Sequence, residues 1–287
     1  MPGVTVFAPA KVNLTLEVLG HRDDSYHEIR SVVQAVRLCD RLVFNRSSGL
    51  EFTCDLPGWQ PEKSLVMHAA KLIREVSGCQ AGARVEITKL IPLSSGLGGD
   101  SSDSAATLLG LNELWQLGMP LGRLVDMAAG LGSDIPFFLT GGTALALGRG
   151  EIISPLPAPD RFWLVILIPG FPELPDKTAT LYAHLREEEF TSGEHSEVLV
   201  TRLTQSKPID ELYLFNVFES VAYGVFDSLE RFRQAFLAAG ALQVHLAGAG
   251  PALFSIHTSQ AEARNVSEKL QGYRVFVAET LNSGEAC

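Results

Sequence analysis

The chain has 287 residues, with 33 Asp and Glu against 23 Lys and Arg, giving a formal net charge of −10. Its hydrophobic content of 46% is that of a globular protein with apolar surface for one large domain or two ordinary ones. The acidity argues against binding nucleic acid or a membrane surface through bulk charge. A polyanionic ligand has to be held by local cations, main-chain N–H groups or a metal.

Residues 11–19 alternate cleanly. Val12, Leu14, Leu16 and Val18 share one face, and Lys11, Asn13, Thr15 and Glu17 share the other. This is the period of a half-buried strand, and it sets Lys11 and Asn13 one pleat apart. Lys11 is then either a solvated strand lysine or a cation kept for a ligand. His21-Arg22-Asp23-Asp24-Ser25-Tyr26-His27 reads as a polar loop. Its last two rings either pack locally or stack on and hydrogen-bond a base. Strands are expected over 29–38, 41–44 and 50–54, with residues 46–49 as a hairpin tip. Leu65, Ala69, Leu72, Ile73 and Val76 carry a helical period over 64–76.

A strand over 84–88 feeds Pro92-Leu93-Ser94-Ser95-Gly96-Leu97-Gly98-Gly99-Asp100-Ser101-Ser102. Gly96, Gly98 and Gly99 allow a left-handed backbone close to a ligand, and Asp100, Ser101 and Ser102 are cap-type residues before an apolar helix. A glycine turn that presents free N–H groups at a helix start is a phosphate site or a tight structural turn. No Lys-Ser/Thr pair follows the glycines, so this is not the common P-loop.

A second helix is expected over 121–131. Asp134 stands just before Pro136, either as a helix cap or as a carboxylate held near the glycine loop. Strands follow over 141–147 and 150–153. Ser154-Pro155-Leu156-Pro157-Ala158-Pro159 is the linker candidate, because three prolines in six residues stiffen a connection. The second half reads as an apolar strand over 162–168, a helix over 178–185, an exposed polar tract over 186–196, and helices near 198–203 and over 217–239. Strands at 242–246 and 252–256, a helix over 260–270 and a strand over 273–279 complete an α+β arrangement of helices on an antiparallel sheet. Cys39, Cys54, Cys79 and Cys287 are scattered and form no Cys-x-x-Cys pair. They read as reduced thiols of a cytoplasmic protein, without a zinc site or disulfide framework.

Five segments together resemble the GHMP kinase superfamily. They are Pro9-Ala10-Lys11-Val12-Asn13-Leu14, Asp24-Ser25-Tyr26-His27, the glycine loop through Ala106, Gly132-Ser133-Asp134-Ile135-Pro136-Phe137, and Gly248-Ala249-Gly250-Pro251 with Phe254. The resemblance covers nearly the whole length. The first two segments point to the branch acting on 4-diphosphocytidyl-2-C-methyl-D-erythritol in the non-mevalonate isoprenoid route. It implies an α+β fold of two domains, residues 1–154 and 160–287, meeting at a cleft. It further implies ATP phosphates on residues 92–102, Lys11 and Asp134 as the catalytic pair, and substrate contacts at Asn13, Tyr26, His27, Thr178 and Tyr182. ATP and Mg²⁺ are the expected co-substrate and ion, and the partner is a small molecule bound by a monomer or weak homodimer. The chain departs from the superfamily's pattern at Ser94, Ser95 and Asp100, where glycine is usual, and a carboxylate at Asp100 repels phosphate unless it turns away or faces Mg²⁺.

Overall fold

The computed structural model describes residues 3–171, 174–285 and 287. Its first strand, β1 (Val4–His21), pairs antiparallel along almost the whole of β2 (His27–Ser47). Next come β3 (Leu50–Cys54), α1 (Leu65–Ser77) and β4 (Gly82–Thr88). β4 lies between its neighbours, antiparallel to β2 and parallel to β3. Residues 46–49 are therefore not the tip of a hydrogen-bonded hairpin. Turn residues set where a chain reverses, and here a later strand takes the hydrogen bonds between the two arms. α1 begins where Ser64 Oγ accepts from Met67 N at 3.2 Å, and it buries Val66, Ala69, Ala70 and Ile73.

α2 (Gly99–Leu114), α3 (Leu121–Leu131) and α4 (Ile135–Thr140) follow. α2 is enclosed by α1, α4, β1 and β2. Ser102, Asp103, Ser104 and Thr107 are accordingly as buried as Ala105 and Leu108. Ser104 and Thr107 satisfy their hydroxyls on the main-chain carbonyls one turn back, both at 2.7 Å. β5 (Thr143–Gly148) pairs with β2, and β6 (Ile152–Leu156) pairs with β5 at the sheet edge. The expected linker thus begins inside a strand, since an edge position accommodates Pro155.

The second half comprises β7 (Trp163–Ile168), α5 (Lys177–His184), α6 (Glu194–Thr204), β8 (Phe215–Asn216), α7 (Glu219–Val225), α8 (Leu229–Ala238), β9 (His245–Leu246), β10 (Leu253–His257), α9 (Gln260–Lys269) and β11 (Arg274–Glu279). Its sheet runs β11-β7-β10-β9, antiparallel throughout. The single helix expected over 217–239 is two, because Ser228 adopts φ 64 between them. β8 crosses to the first sheet and pairs parallel with β1 at Thr15 and Leu16.

Three apolar clusters hold these layers. Phe44, Ile73, Leu108 and Phe137 belong to the first half, and Leu167, Phe218 and Phe236 to the second. The third joins Val12, Leu14 and Val36 of the first sheet to Leu164, Ile166 and Phe254 of the second. The polar face of β1 is covered as well: Lys11, Asn13, Thr15 and Glu17 are all buried. Glu17 accepts from Ser196 N at 2.8 Å, Thr191 Oγ1 at 2.9 Å and His195 N at 3.2 Å, so its carboxylate sits on the start of α6. Thr15 Oγ1 lies 2.8 Å from Ser196 Oγ. The half-buried strand is thus buried on both faces, and Ser196 is interior although the polar tract around it reads as exposed.

Cys39 of β2 is bonded to Cys287, while Cys54 and Cys79 are free. This corrects the reading of four reduced thiols. The pair is separated by 248 positions, a span over which cysteine spacing carries no signal. Among the described residues no helix is long and apolar enough to cross a membrane.

Candidate active site

The glycine loop is anchored before it is shaped. Asp40 Oδ1 accepts from Leu90 N at 2.6 Å and from Ile91 N at 2.8 Å, fixing the chain as it leaves β4. The other oxygen of Asp40 lies 2.6 Å from Lys89 Nζ, which also reaches Asp103 Oδ2 at 2.7 Å and Asp100 Oδ1 at 3.7 Å. Burial works against the charge on Lys89, but Asp103 and Asp40 outweigh it and raise its pKa. Burial, opposed by Lys89 and reinforced by Asp40, holds Asp103 well above the usual carboxylate range. Asp100, expected to repel a phosphate, thus has this buried ammonium beside it.

Within the loop, Ser95 Oγ donates to Pro92 O at 2.7 Å, and Ser94 adopts φ 51. Gly96 has φ 91, and a Cβ there would stand 1.9 Å from Ala247 O, so only glycine fits. Leu97 is wholly buried, and its carbonyl accepts from Lys11 N at 2.9 Å. It can offer a ligand only main-chain groups. Gly98 is the N-cap of α2 and provides no side-chain bond. The cap-type residues Asp100, Ser101 and Ser102 therefore fall inside the first turn, and the leading N–H groups of α2 have no side chain capping them. Pro92, Leu93, Ser94, Ser95, Gly96, Gly98, Gly99, Asp100 and Ser101 line a cavity of about 130 Å³ with Lys89. Ser102 does not line it, and its Oγ is buried without a hydrogen-bond partner. A pocket of about 320 Å³ lined by Trp59, Lys63, Ser64 and Leu65 adjoins this loop at Lys89, Leu93 and Asp100.

On the other side Gly96, Gly98 and Ser101 also border a cleft of about 830 Å³. Lys11, Asn13, Tyr26, His27, Asp134, Thr178 and Tyr182 all line it. Lys11 Nζ donates to Asn13 Oδ1 at 2.7 Å and lies 3.6 Å from Asp134 Oδ2. Asn13 is oriented in turn by its Nδ2, which donates to Ser31 Oγ at 2.8 Å. The side chain of Lys11 is 6% exposed and that of Asp134 is 46% exposed. Asp134 precedes α4 but makes no side-chain cap, so its carboxylate is left to Lys11 and the cleft. A Cβ at Gly248 would stand 3.1 Å from Lys11 Nζ and 3.3 Å from Asn13 Oδ1, which explains how the Gly248-Ala249-Gly250 turn comes so close to the pair.

The far end of the cleft is aromatic. His27 stacks on Tyr182 at 4.3 Å, and Tyr26, 53% exposed, lies under the Arg149 guanidinium at 4.8 Å. Burial and the neighbouring His21 push the His27 pKa down. Burial and the Asp134 charge push the Tyr182 hydroxyl up to about 12. Sequence reasoning missed two cations lining this cleft. Arg149 sits in the Gly148-Arg149-Gly150 turn between β5 and β6, and Lys177 opens α5, one residue before Thr178.

Residues 64–142 match the model of the GHMP kinases N terminal domain, and residues 203–274 match GHMP kinases C terminal. A 4-diphosphocytidyl-2-C-methyl-D-erythritol kinase of Dehalococcoides mccartyi is 47% identical over 280 residues, covering 97% of this chain and 98% of that protein. The chain belongs to the 4-diphosphocytidyl-2-C-methyl-D-erythritol kinase family. A member from Geobacter metallireducens is 37% identical, covering 94% of this chain and 95% of its own. A solved 4-(cytidine 5'-diphospho)-2C-methyl-D-erythritol kinase superposes with a TM-score of 0.82 at 32% identity, covering 98% of this chain and all of that one. The homoserine kinase from Cytophaga hutchinsonii, at a TM-score of 0.75 and 20% identity over 99% of this chain and 96% of its own, shares the fold alone. The two-domain α+β GHMP kinase fold follows for this member of the family, as does the class of ATP-dependent kinase.

Proposed function

We propose that the chain transfers the terminal phosphoryl of ATP to the 2-hydroxyl of 4-diphosphocytidyl-2-C-methyl-D-erythritol. The observation that carries this reading is the Lys11–Asp134 pair at 3.6 Å, on a cleft bordered by the glycine loop and by an aromatic cluster. In this reading residues 1–154 bind the nucleotide and residues 160–287 supply the other wall. Main-chain N–H groups of residues 96–101 hold the phosphates at the start of α2. The purine side falls to the pocket beside Ser64 and Trp59, and Tyr26, His27, Thr178 and Tyr182 take the cytidylyl end. Binding of that remote end positions the hydroxyl in line with the phosphoryl group.

Asp134 orients the hydroxyl and accepts its proton as the new O–P bond forms and the bond to the leaving ADP oxygen breaks. Lys11 pairs with Asp134 and offsets charge on the transferring group, while Asn13 fixes the direction of its ammonium. Mg²⁺ takes oxygen ligands, and the unpartnered hydroxyl of Ser102 and the exposed carboxylate of Asp100 are donors of that kind at the loop. When bound, the ion neutralises charge on the phosphates. The test is purified protein with ATP, Mg²⁺ and the cytidylyl substrate, run beside homoserine and mevalonate. Stoichiometric ADP and a product heavier by one phosphoryl group are expected with the cytidylyl substrate alone, and turnover of either other acceptor instead refutes the assignment.

A further inference from the structure

Lys177, the first residue of α5, places its ammonium between two main-chain carbonyls of different segments. Its Nζ donates to Ser94 O of the glycine loop at 2.7 Å and to Gly250 O of the glycine turn after β9. An ammonium has three protons, so these bonds leave one over. Both acceptors are neutral. Among the described residues no carboxylate lies within ion-pairing distance of Lys177, unlike Lys11 and Lys89. The side chain lines the same cleft as Lys11, Asp134, Gly96 and Gly98. The cleft therefore holds two neighbouring ammonium groups against one half-exposed carboxylate, an arrangement relieved by an anion.

We infer that Lys177 donates a hydrogen bond from its third proton to the terminal phosphoryl group of the bound nucleotide, so that α5 holds the second half of the chain against that phosphate. The inference rests on the glycine loop holding a nucleoside triphosphate. It adds a contact from the opposite wall and accounts for a lysine that, among the described residues, ties two carbonyls and no carboxylate. The groups around the ammonium are consistent with it. Lys11 and Asp134 share its cleft, Lys89 and Arg274 line the adjoining cavity with it, and Asp176 and Tyr182 belong to its own segment. Burial and then the charge of Lys11 push its pKa down to about 8.

The test compares AMP, ADP and ATP binding to wild type, Lys177→Met and Lys177→Arg by titration calorimetry, with steady-state kinetics from pH 7.5 to 9.5. Lys177→Met is expected to weaken ATP about ten- to hundredfold while changing ADP and AMP less than about threefold, as for one lost charged hydrogen bond. The wild-type KM for ATP is expected to rise as pH passes 8. Lys177→Arg, which stays charged, should lack that rise and keep every other titration. Equal losses on all three nucleotides, with wild type still ranking them, reduce Lys177 to a structural tie and overturn the inference alone. A wild-type KM that is flat across this range overturns it even if the Met variant does not fold. Wild-type protein that binds none of the three nucleotides overturns the reading of the loop, and this inference with it.

Discussion

Replacing Asp134 by Asn removes the proposed proton acceptor with little change of shape. The carboxylate is 46% exposed and caps no helix, so the fold should barely register the change. Exposed positions without such duties usually shift stability by less than about 0.5 kcal/mol, a degree or two in Tm for a chain of this size. The ion pair with the buried Lys11 is open to solvent on its carboxylate side, which screens it to about 1 kcal/mol. The chemical step is another matter. A positioned acid–base group is worth about 10²- to 10⁴-fold, or roughly 3–5 kcal/mol of barrier. The variant should therefore bind ATP within about threefold of wild type, because removing a negative charge beside a phosphate costs no attraction. The assay pairs calorimetric ATP affinity and Tm with kcat from coupled ADP release. A kcat within threefold of wild type, at unchanged Tm, refutes Asp134 as the group that orients and deprotonates the hydroxyl.

Gly96→Ala should cost at least about 2 kcal/mol and disable ATP binding, since it adds left-handed strain to a clash with Ala247 O. Thermal melting and ATP titration check this, and a variant with wild-type Tm and affinity would contradict the loop geometry. Tyr26→Ala should leave Tm and the KM for ATP nearly unchanged and raise the KM for the cytidylyl substrate about tenfold, the worth of one base stack. An effect confined to ATP would reverse the assignment of the two ends of the cleft. Thiol titration in denaturant should find two reactive cysteines before reduction and four after it, because Cys39 and Cys287 are bonded. Four before reduction would exclude the bond.

How far the sequence could be read follows from what each residue's neighbours are. α3 and α1 were legible because a local apolar period settles them, over 121–131 and 64–76. The glycine loop was legible as a turn leading into a helix, but its cap was misread. Cap preference favours Asp100, Ser101 and Ser102, whereas the left-handed backbone at Gly98 begins the helix there. β1 shows the limit most clearly. Its alternation separated the two faces correctly, yet alternation cannot say what covers a polar face. Here Glu17 and Thr15 meet α6, from residues more than 170 positions on, and Lys11 and Asn13 meet a glycine turn later still. The same strand thus carries the contact with α6 on its second half, and Lys11 with Asn13 on its first. Residues such as Lys177 and Arg149 stayed hidden because neither belongs to a local pattern. Each stands out only through the groups that the folded chain brings opposite it: Lys177 through the carbonyls of Ser94 and Gly250, and Arg149 through the ring of Tyr26.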